Sequence, residues 1–214
     1  MNTRAVAHLC RLSVTGLTVI AVSACSALFP AATPQPAFYS LDSARGVAPT
    51  AAPTTAPTLT LNPPQAAAGF DSPRILYVRE THKLDYFAHS EWVDPPARML
   101  APLLVTAIEN TGAFRAVVLA PSAAGGDLRL DTEIIRLQQE FLTRPSRVRF
   151  TLRAYLVDDK TRRVLAWREF DAAVPATSDD PYGGVVAANR AVQTVLGNLA
   201  AFCAVTARNA RIEK

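Results

Sequence analysis

A strictly alternating segment in the second half of the chain constrains the fold more than any other feature. From Arg147 to Leu156 the sequence reads Arg-Val-Arg-Phe-Thr-Leu-Arg-Ala-Tyr-Leu, so apolar residues take every second position. A period of two is that of a β-strand with one buried face and one solvated face. Such a strand needs neighbouring strands and a layer that covers its apolar face. Arg147, Arg149 and Arg153 are predicted to share the solvated face.

Other segments supply neighbouring strands. Strands are predicted at residues 59–61, 74–79, 84–88, 114–119, 128–141 and 163–170. Within 128–141 the apolar residues change phase at Ile134-Ile135, which predicts a β-bulge. Short turns join the three strands between residues 128 and 170, so these three should pair antiparallel.

A first amphipathic helix is predicted after Asp94. Asp94 suits the N-cap, Pro95 the first helical position and Gly112 the C-cap. Pro102 falls inside this helix, where it should kink or loosen it.

A second amphipathic helix closes the chain, with an apolar stripe from Val185 to Cys203. Asp179-Asp180 before Pro181 is interpreted as its start signal rather than as a metal site. The predicted fold class is α+β, a mostly antiparallel sheet covered by two amphipathic helices.

The N-terminus has the pattern of a bacterial lipoprotein signal peptide. Arg4 and Arg11 precede an apolar run at residues 12–21, which is too short for a membrane span of about 20 residues. Small residues then lead to Cys25, the predicted site of lipidation and cleavage. Several acyl chains, palmitate among them, would anchor the chain firmly. An ordinary signal peptidase site is the alternative. Ser26, rather than Asp, favours the outer membrane in bacterial lipoproteins generally.

Three regions follow from this interpretation. Residues 1–24 form the signal peptide, and residues 59–210 form the folded domain. Residues 25–58 hold the lipidated cysteine, a tether and loop rich in Pro, Ala and Thr, and a short strand near 38–41.

Composition limits the classes of function. The formal charge of +4 falls to +2 when Arg4 and Arg11 leave with the signal, so no nucleic-acid footprint is expected. With the signal peptide removed and Cys25 lipidated, Cys203 would be the remaining cysteine of the mature chain. It is expected to be a small buried apolar residue.

No catalytic, cofactor-binding or metal-binding motif stands out. In the run His89-Ser90-Glu91, adjacent residues of a strand point to opposite faces and cannot form a relay with each other. The chain is therefore predicted not to be an enzyme and to need no cofactor.

The arginine stripe and the two tryptophans each allow more than one interpretation. The arginine stripe is either the ordinary solvated face of a strand or a docking surface for an acidic partner or lipid headgroups. Trp92 and Trp167 are predicted to be anchors in or near the core, and either could instead lie at an interface.

An ordered set of segments resembles a known family. The set comprises Tyr39-Ser40-Leu41, the Tyr–Trp segment within Leu84–Leu100, and the Gly-Ala-Phe-Arg-Ala-Val step from Gly112 to Val117. With the Ala-rich last helix, these resemble the ABC-type transport auxiliary lipoproteins (PqiC-like) over about residues 38–208. The long insertion at 43–58 and Pro102 depart from the family pattern.

The resemblance implies a non-enzymatic, lipid-anchored component of a transport system that moves lipids or other hydrophobic molecules across the periplasm. The implied partners are an MCE-domain protein and ABC transporter subunits, with a homo-oligomeric ring as a further association. The implied location is the periplasmic face of the outer membrane. The alternative is a stand-alone envelope lipid-binding or scaffold lipoprotein.

Overall fold

The computed structural model describes residues 35–42, 52–122 and 125–212, and within these ranges nine strands form one mixed sheet accompanied by two helices. The strands are β1 (Ala37–Tyr39), β2 (Thr58–Leu61), β3 (Gln65–Ala66), β4 (Arg74–Glu80), β5 (Lys83–Trp92), β6 (Ala116–Leu119), β7 (Leu128–Glu140), β8 (Arg147–Asp158) and β9 (Val164–Pro175). The helices are α1 (Pro96–Glu109) and α2 (Pro181–Ile212). Cys25 and the predicted signal peptide lie outside the described residues.

Strand β7 is the centre of the sheet. Along one side it pairs antiparallel with β8 over its whole length, and β8 pairs antiparallel with β9. Along its other side lie β2, β3 and β4, one after another, each parallel to β7. The predicted bulge is confirmed, because Ile134 pairs with Leu152 whereas Arg136 already pairs with Thr151.

The α+β class is confirmed, and the long pairings of the sheet are antiparallel as predicted. The parallel pairings, which involve the short strands, were not predicted. Parallel neighbours are connected through distant parts of the chain, and the periodicity of a single segment carries no information about them. β1 shows this, since Ala37 pairs with Ser90 of β5 in parallel register.

The core lies between the sheet and the helices. The alternating apolar residues of β8 are buried, and α2 packs against β8 and β9 while α1 packs against α2 and β6. Cys203 of α2 is fully buried, and this burial raises the pKa of its thiol to about 12. The thiol therefore behaves as the predicted small apolar residue. No helix in the described part of the chain is both long and apolar enough to cross a bilayer.

The start of α1 differs from the prediction. The helix begins at Pro96, and Asp94 caps no backbone N–H; its carboxylate instead lies 3.4 Å from the guanidinium of Arg98. The reason is the second proline, which excludes the helical conformation at the residue before it. Pro95 accordingly has ψ 136° and the helix starts one residue late.

The end of α1 also differs, because Asn110 rather than Gly112 is the C-cap. Gly112 lies two residues later at φ +63°, where its N–H donates to the carbonyl of Glu109. A glycine suits this left-handed conformation. Pro102 lies inside the helix as predicted.

The start of α2 matches the prediction for Asp179-Asp180. The Asp180 carboxylate accepts a hydrogen bond of 2.7 Å from the N–H of Gly183, which is N-capping geometry with Pro181 as the first helical residue. This hydrogen bond lowers the pKa of Asp180. Asp179 accepts a 2.8 Å hydrogen bond from the N–H of Ser146 and so ties the β7–β8 loop to the helix start.

Helix α2 also holds the chain just after β1. The Asn189 side-chain oxygen accepts a 2.7 Å hydrogen bond from the N–H of Asp42, and its amide nitrogen donates to the Ser40 carbonyl at 3.2 Å. Leu41, between them, is buried in the core. Residues 37–42, where a short strand was predicted within the tether and loop, therefore pack against the sheet and α2.

Candidate interaction surfaces

The three stripe arginines, Arg147, Arg149 and Arg153, share the sheet face opposite the helices, and each is ion-paired. Glu140 of β7 accepts from Arg147 Nε at 3.0 Å and from Arg149 Nε at 3.1 Å. One carboxylate therefore bridges two arginines of the neighbouring strand.

Strands β9 and β7 supply the remaining partners. Arg149 donates to Asp171 at 2.7 Å, and Arg153 lies 3.0 Å from Glu169 and 3.6 Å from Glu133 of β7. The three arginines thus face four carboxylates across three adjacent strands, and the patch they form has no cationic excess.

The protonation of this network follows from its geometry. The Glu140 side chain is only 8% exposed, and burial alone would raise its pKa, but the hydrogen bonds from Arg147 and Arg149 outweigh burial and lower the pKa of Glu140. Burial likewise opposes the charge of Arg149, but Glu140 and Asp171 raise its pKa. Glu140 and Arg149 are therefore both ionised at neutral pH. Binding of an acidic partner or of lipid headgroups by the stripe stays a prediction.

The two tryptophans differ in their exposure to solvent. Trp92 is 3% exposed and lies in the core as predicted, whereas Trp167 is 61% exposed and the prediction of a core position for it is wrong. Trp167 shares the outer face of β9 with Glu169 and Asp171, and its ring stacks on Tyr155 with centroids 6.2 Å apart. Its alternation with these two acids was the sequence signal for an exposed position.

The adjacent residues His89 and Ser90 differ in burial, as expected for neighbours on a strand. His89 is exposed on β5, whereas Ser90 is buried. Within the described ranges no group of three metal-ligating side chains comes together.

A groove beside strand β9 was not predicted from the sequence. Among the described strands, β9 pairs with β8 alone. Between this edge of the sheet and α2 lies a groove of about 510 Å³, lined by Arg168–Asp171 and by the helix residues Asn198, Ala201, Phe202 and Val205. A second depression of about 340 Å³ lies beside Arg163–Ala166. The signal available in the sequence was the apolar pair Phe202 and Val205, off the main stripe of the helix.

A strand face of paired charges, an open sheet edge and a groove beside it are the main surface features of this small α+β domain. The chain belongs to the family of ABC-type transport auxiliary lipoprotein components, whose family model matches residues 39–200. The family resemblance of the sequence is thereby confirmed. Membership associates the protein with the cell envelope and with an ABC-type transport system.

Two solved structures illustrate the fold. Protein XCC0632 from Xanthomonas campestris, of family DUF330, is 26% identical with a TM-score of 0.72, covering 81% of this chain and 98% of its own. A second, uncharacterized protein is 14% identical with a TM-score of 0.61, covering 79% of this chain and 99% of its own, and shows the fold alone. No curated protein matches the chain.

Proposed function

We propose that this protein is a non-enzymatic, lipid-anchored accessory of an ABC/MCE-type transport system that moves lipids or other hydrophobic molecules across the periplasm. The observation that carries the proposal is the family match over residues 39–200, which runs from β1 into α2 and so includes nearly every element of the fold. Its partners are an MCE-domain protein and the ABC transporter subunits.

The anchor in this proposal is Cys25, acylated after removal of residues 1–24 and held in the outer membrane on its periplasmic face. The first strand begins at Ala37, twelve residues after Cys25. At ~3.1 Å per residue, an extended Pro-rich segment of this length reaches about 37 Å. This reach supports a domain that meets its partners in the periplasm while its lipid stays in the membrane.

The stand-alone lipid binder remains the alternative function. The most enclosed cavity described lies between Gln139 and Gly184 and measures about 10 Å³. Pockets for small ligands measure about 300–1,000 Å³, so this cavity holds no lipid. The other described pockets measure about 280–510 Å³ and are at least as open to solvent. Their openness, rather than their size, favours an accessory that contacts the transporter over one that encloses cargo.

The proposal is tested with the tagged, full-length protein purified from detergent-solubilised envelopes and analysed by mass spectrometry. We expect an MCE protein and ABC subunits at defined ratios. Recovery of the intact, membrane-bound protein without them would reject the accessory role. Lipid extraction of the same sample then tests the alternative function directly.

A further inference from the structure

The free edge of β9 is long for an edge strand. β9 has 12 residues and pairs with β8 alone among the described strands, whereas the other strands with a single partner, β1, β3 and β6, have three, two and four residues. Every second residue of an edge strand directs its N–H and C=O away from the paired neighbour. The free edge of β9 can therefore accept a further strand along most of its length.

Helix α2 forms an apolar wall beside this edge. The lining residues Asn198, Ala201, Phe202 and Val205 are spaced i, i+3, i+4 and i+7, so they share one face of the helix. Val205 is 48% exposed. Peptides that add to a sheet edge gain affinity from main-chain hydrogen bonds and specificity from pockets for alternate side chains. The β9–α2 groove offers both features side by side.

The groove also has, on its β9 side, a cation without an ionic partner in the described part of the chain. The Arg168 guanidinium lies 6.0 Å from the ring of Phe170 and 5.6 Å from that of Phe202, and it forms no ion pair with the described residues. The acids of β9, Glu169 and Asp171, turn to the other face of the sheet, where Arg153 and Arg149 hold them. Arg168 is thus free to pair with a carboxylate from outside.

We infer that the β9–α2 groove binds an extended, acidic segment of a partner protein, which adds to β9 as a further strand. A carboxylate of this segment pairs with Arg168. An apolar side chain two positions away, on the same face of the added strand, packs against Phe202 and Val205.

A second copy of this chain is a poorer occupant than a different protein. The edge strands β1, β3 and β6 contain no acidic residue to pair with Arg168. On the part of β5 that β1 leaves uncovered, the carboxylate of Asp85 already lies 3.6 Å from Lys83. Antiparallel pairing of two copies of β9 about Phe170 sets Glu169 against Asp171, and pairing about Arg168 sets that arginine against itself. Like charges directly opposite each other destabilise a sheet, so these two registers are disfavoured.

The test uses the full-length protein in its own envelope, with photoreactive p-benzoylphenylalanine in place of Val205. Gln193, exposed on α2 beside the groove to α1, is the matched control position. After illumination, mass spectrometry of the crosslinked peptides should map the Val205 probe to one short, acidic segment of a different protein. The probe at position 193 should not reach this segment.

Three substitutions, one of them a control, make the test decisive. Arg168→Glu should lower the crosslink yield about tenfold, because a charge-assisted contact becomes repulsive. Arg98→Glu, a charge reversal at an exposed site of α1, should leave the yield unchanged. Ala201→Trp should abolish the crosslink by filling the groove from an exposed helix position. Unchanged melting temperatures establish that each variant is folded.

Three results overturn the inference: no crosslink above the position-193 background, a crosslink that Arg168→Glu leaves intact, or crosslinks that reach only lipid or a second copy of this chain. The transport proposal is judged separately. If the crosslinked acidic segment belongs to a protein that is neither an MCE nor an ABC subunit, the result supports binding at the β9–α2 groove. The same result counts against the transport proposal.

Discussion

The bridging carboxylate of Glu140 offers the sharpest test of how the sheet face is stabilised. The change Glu140→Gln keeps the shape of the side chain but removes the charge that Arg147 and Arg149 share. Breaking one side of a fully buried ion pair costs about 3–5 kcal/mol, and an exposed pair is worth about 0–1 kcal/mol. Glu140 is buried, but the two arginines are 39% and 22% exposed and Arg149 keeps Asp171. We therefore expect a loss of about 2 kcal/mol.

The loss of stability caused by Glu140→Gln should depend on pH. The folded-state pKa of Glu140 is lowered, so its contribution to stability is fully present above the unfolded pKa of about 4.3 and is lost as the pH falls through the folded value. The difference in unfolding free energy between wild type and Glu140→Gln should hence be largest near pH 7 and shrink below about pH 4.

Urea denaturation of residues 36–214, followed by circular dichroism at pH 7 and pH 3.5, measures both quantities. The matched control is Glu169→Gln, which removes the exposed partner of Arg153 and should cost less than about 1 kcal/mol. Equal losses in the two variants, or a Glu140→Gln difference that does not change with pH, would refute the argument.

Three further predictions concern the anchor and the packing of α2. Cys25→Ala should abolish incorporation of radiolabelled palmitate, and a labelled variant would reject Cys25 as the lipidation site. Asp180→Ala removes the N-cap of α2 and should lower the unfolding free energy by about 1 kcal/mol, measured by urea denaturation against Asp180→Asn, which retains a capping side chain. Gly184→Ala places a methyl group against the Gln139 side-chain oxygen and should cost about 1–3 kcal/mol, whereas Gly197→Ala, where a methyl group meets nothing within 4 Å, should be neutral or stabilising.

Local periodicity predicted most of the helices and strands. An element that is buried on one face has apolar residues at regular spacing, and this spacing is visible in the sequence. The alternation of β8, the phase change at Ile134 and the capping signal at Asp180 are all features of this kind, and all three are confirmed. The error at Asp94 arose from weighing its capping preference above the backbone restriction that Pro96 imposes on Pro95.

The surface could not be predicted in the same way because it depends on register between distant segments. Arg149 and Asp171 are 22 residues apart and meet because Thr151 of β8 pairs with Asp171 of β9. From the sequence alone, the stripe carries three cations, whereas in the folded chain its arginines are surrounded by carboxylates of two other strands. The β9–α2 groove likewise exists only through the packing of a helix beside a sheet edge.

The hydrogen bonds around the start of the fold have a mechanical consequence. β1 is joined side by side to β5, so a force along the axis of β1 acts on several backbone hydrogen bonds in shear rather than breaking them one by one. Asn189 of α2, some 150 positions further along the chain, is hydrogen-bonded to Ser40 and Asp42, which follow β1. Tension on the N-terminal side of β1 is thus distributed to the sheet and to the last helix together.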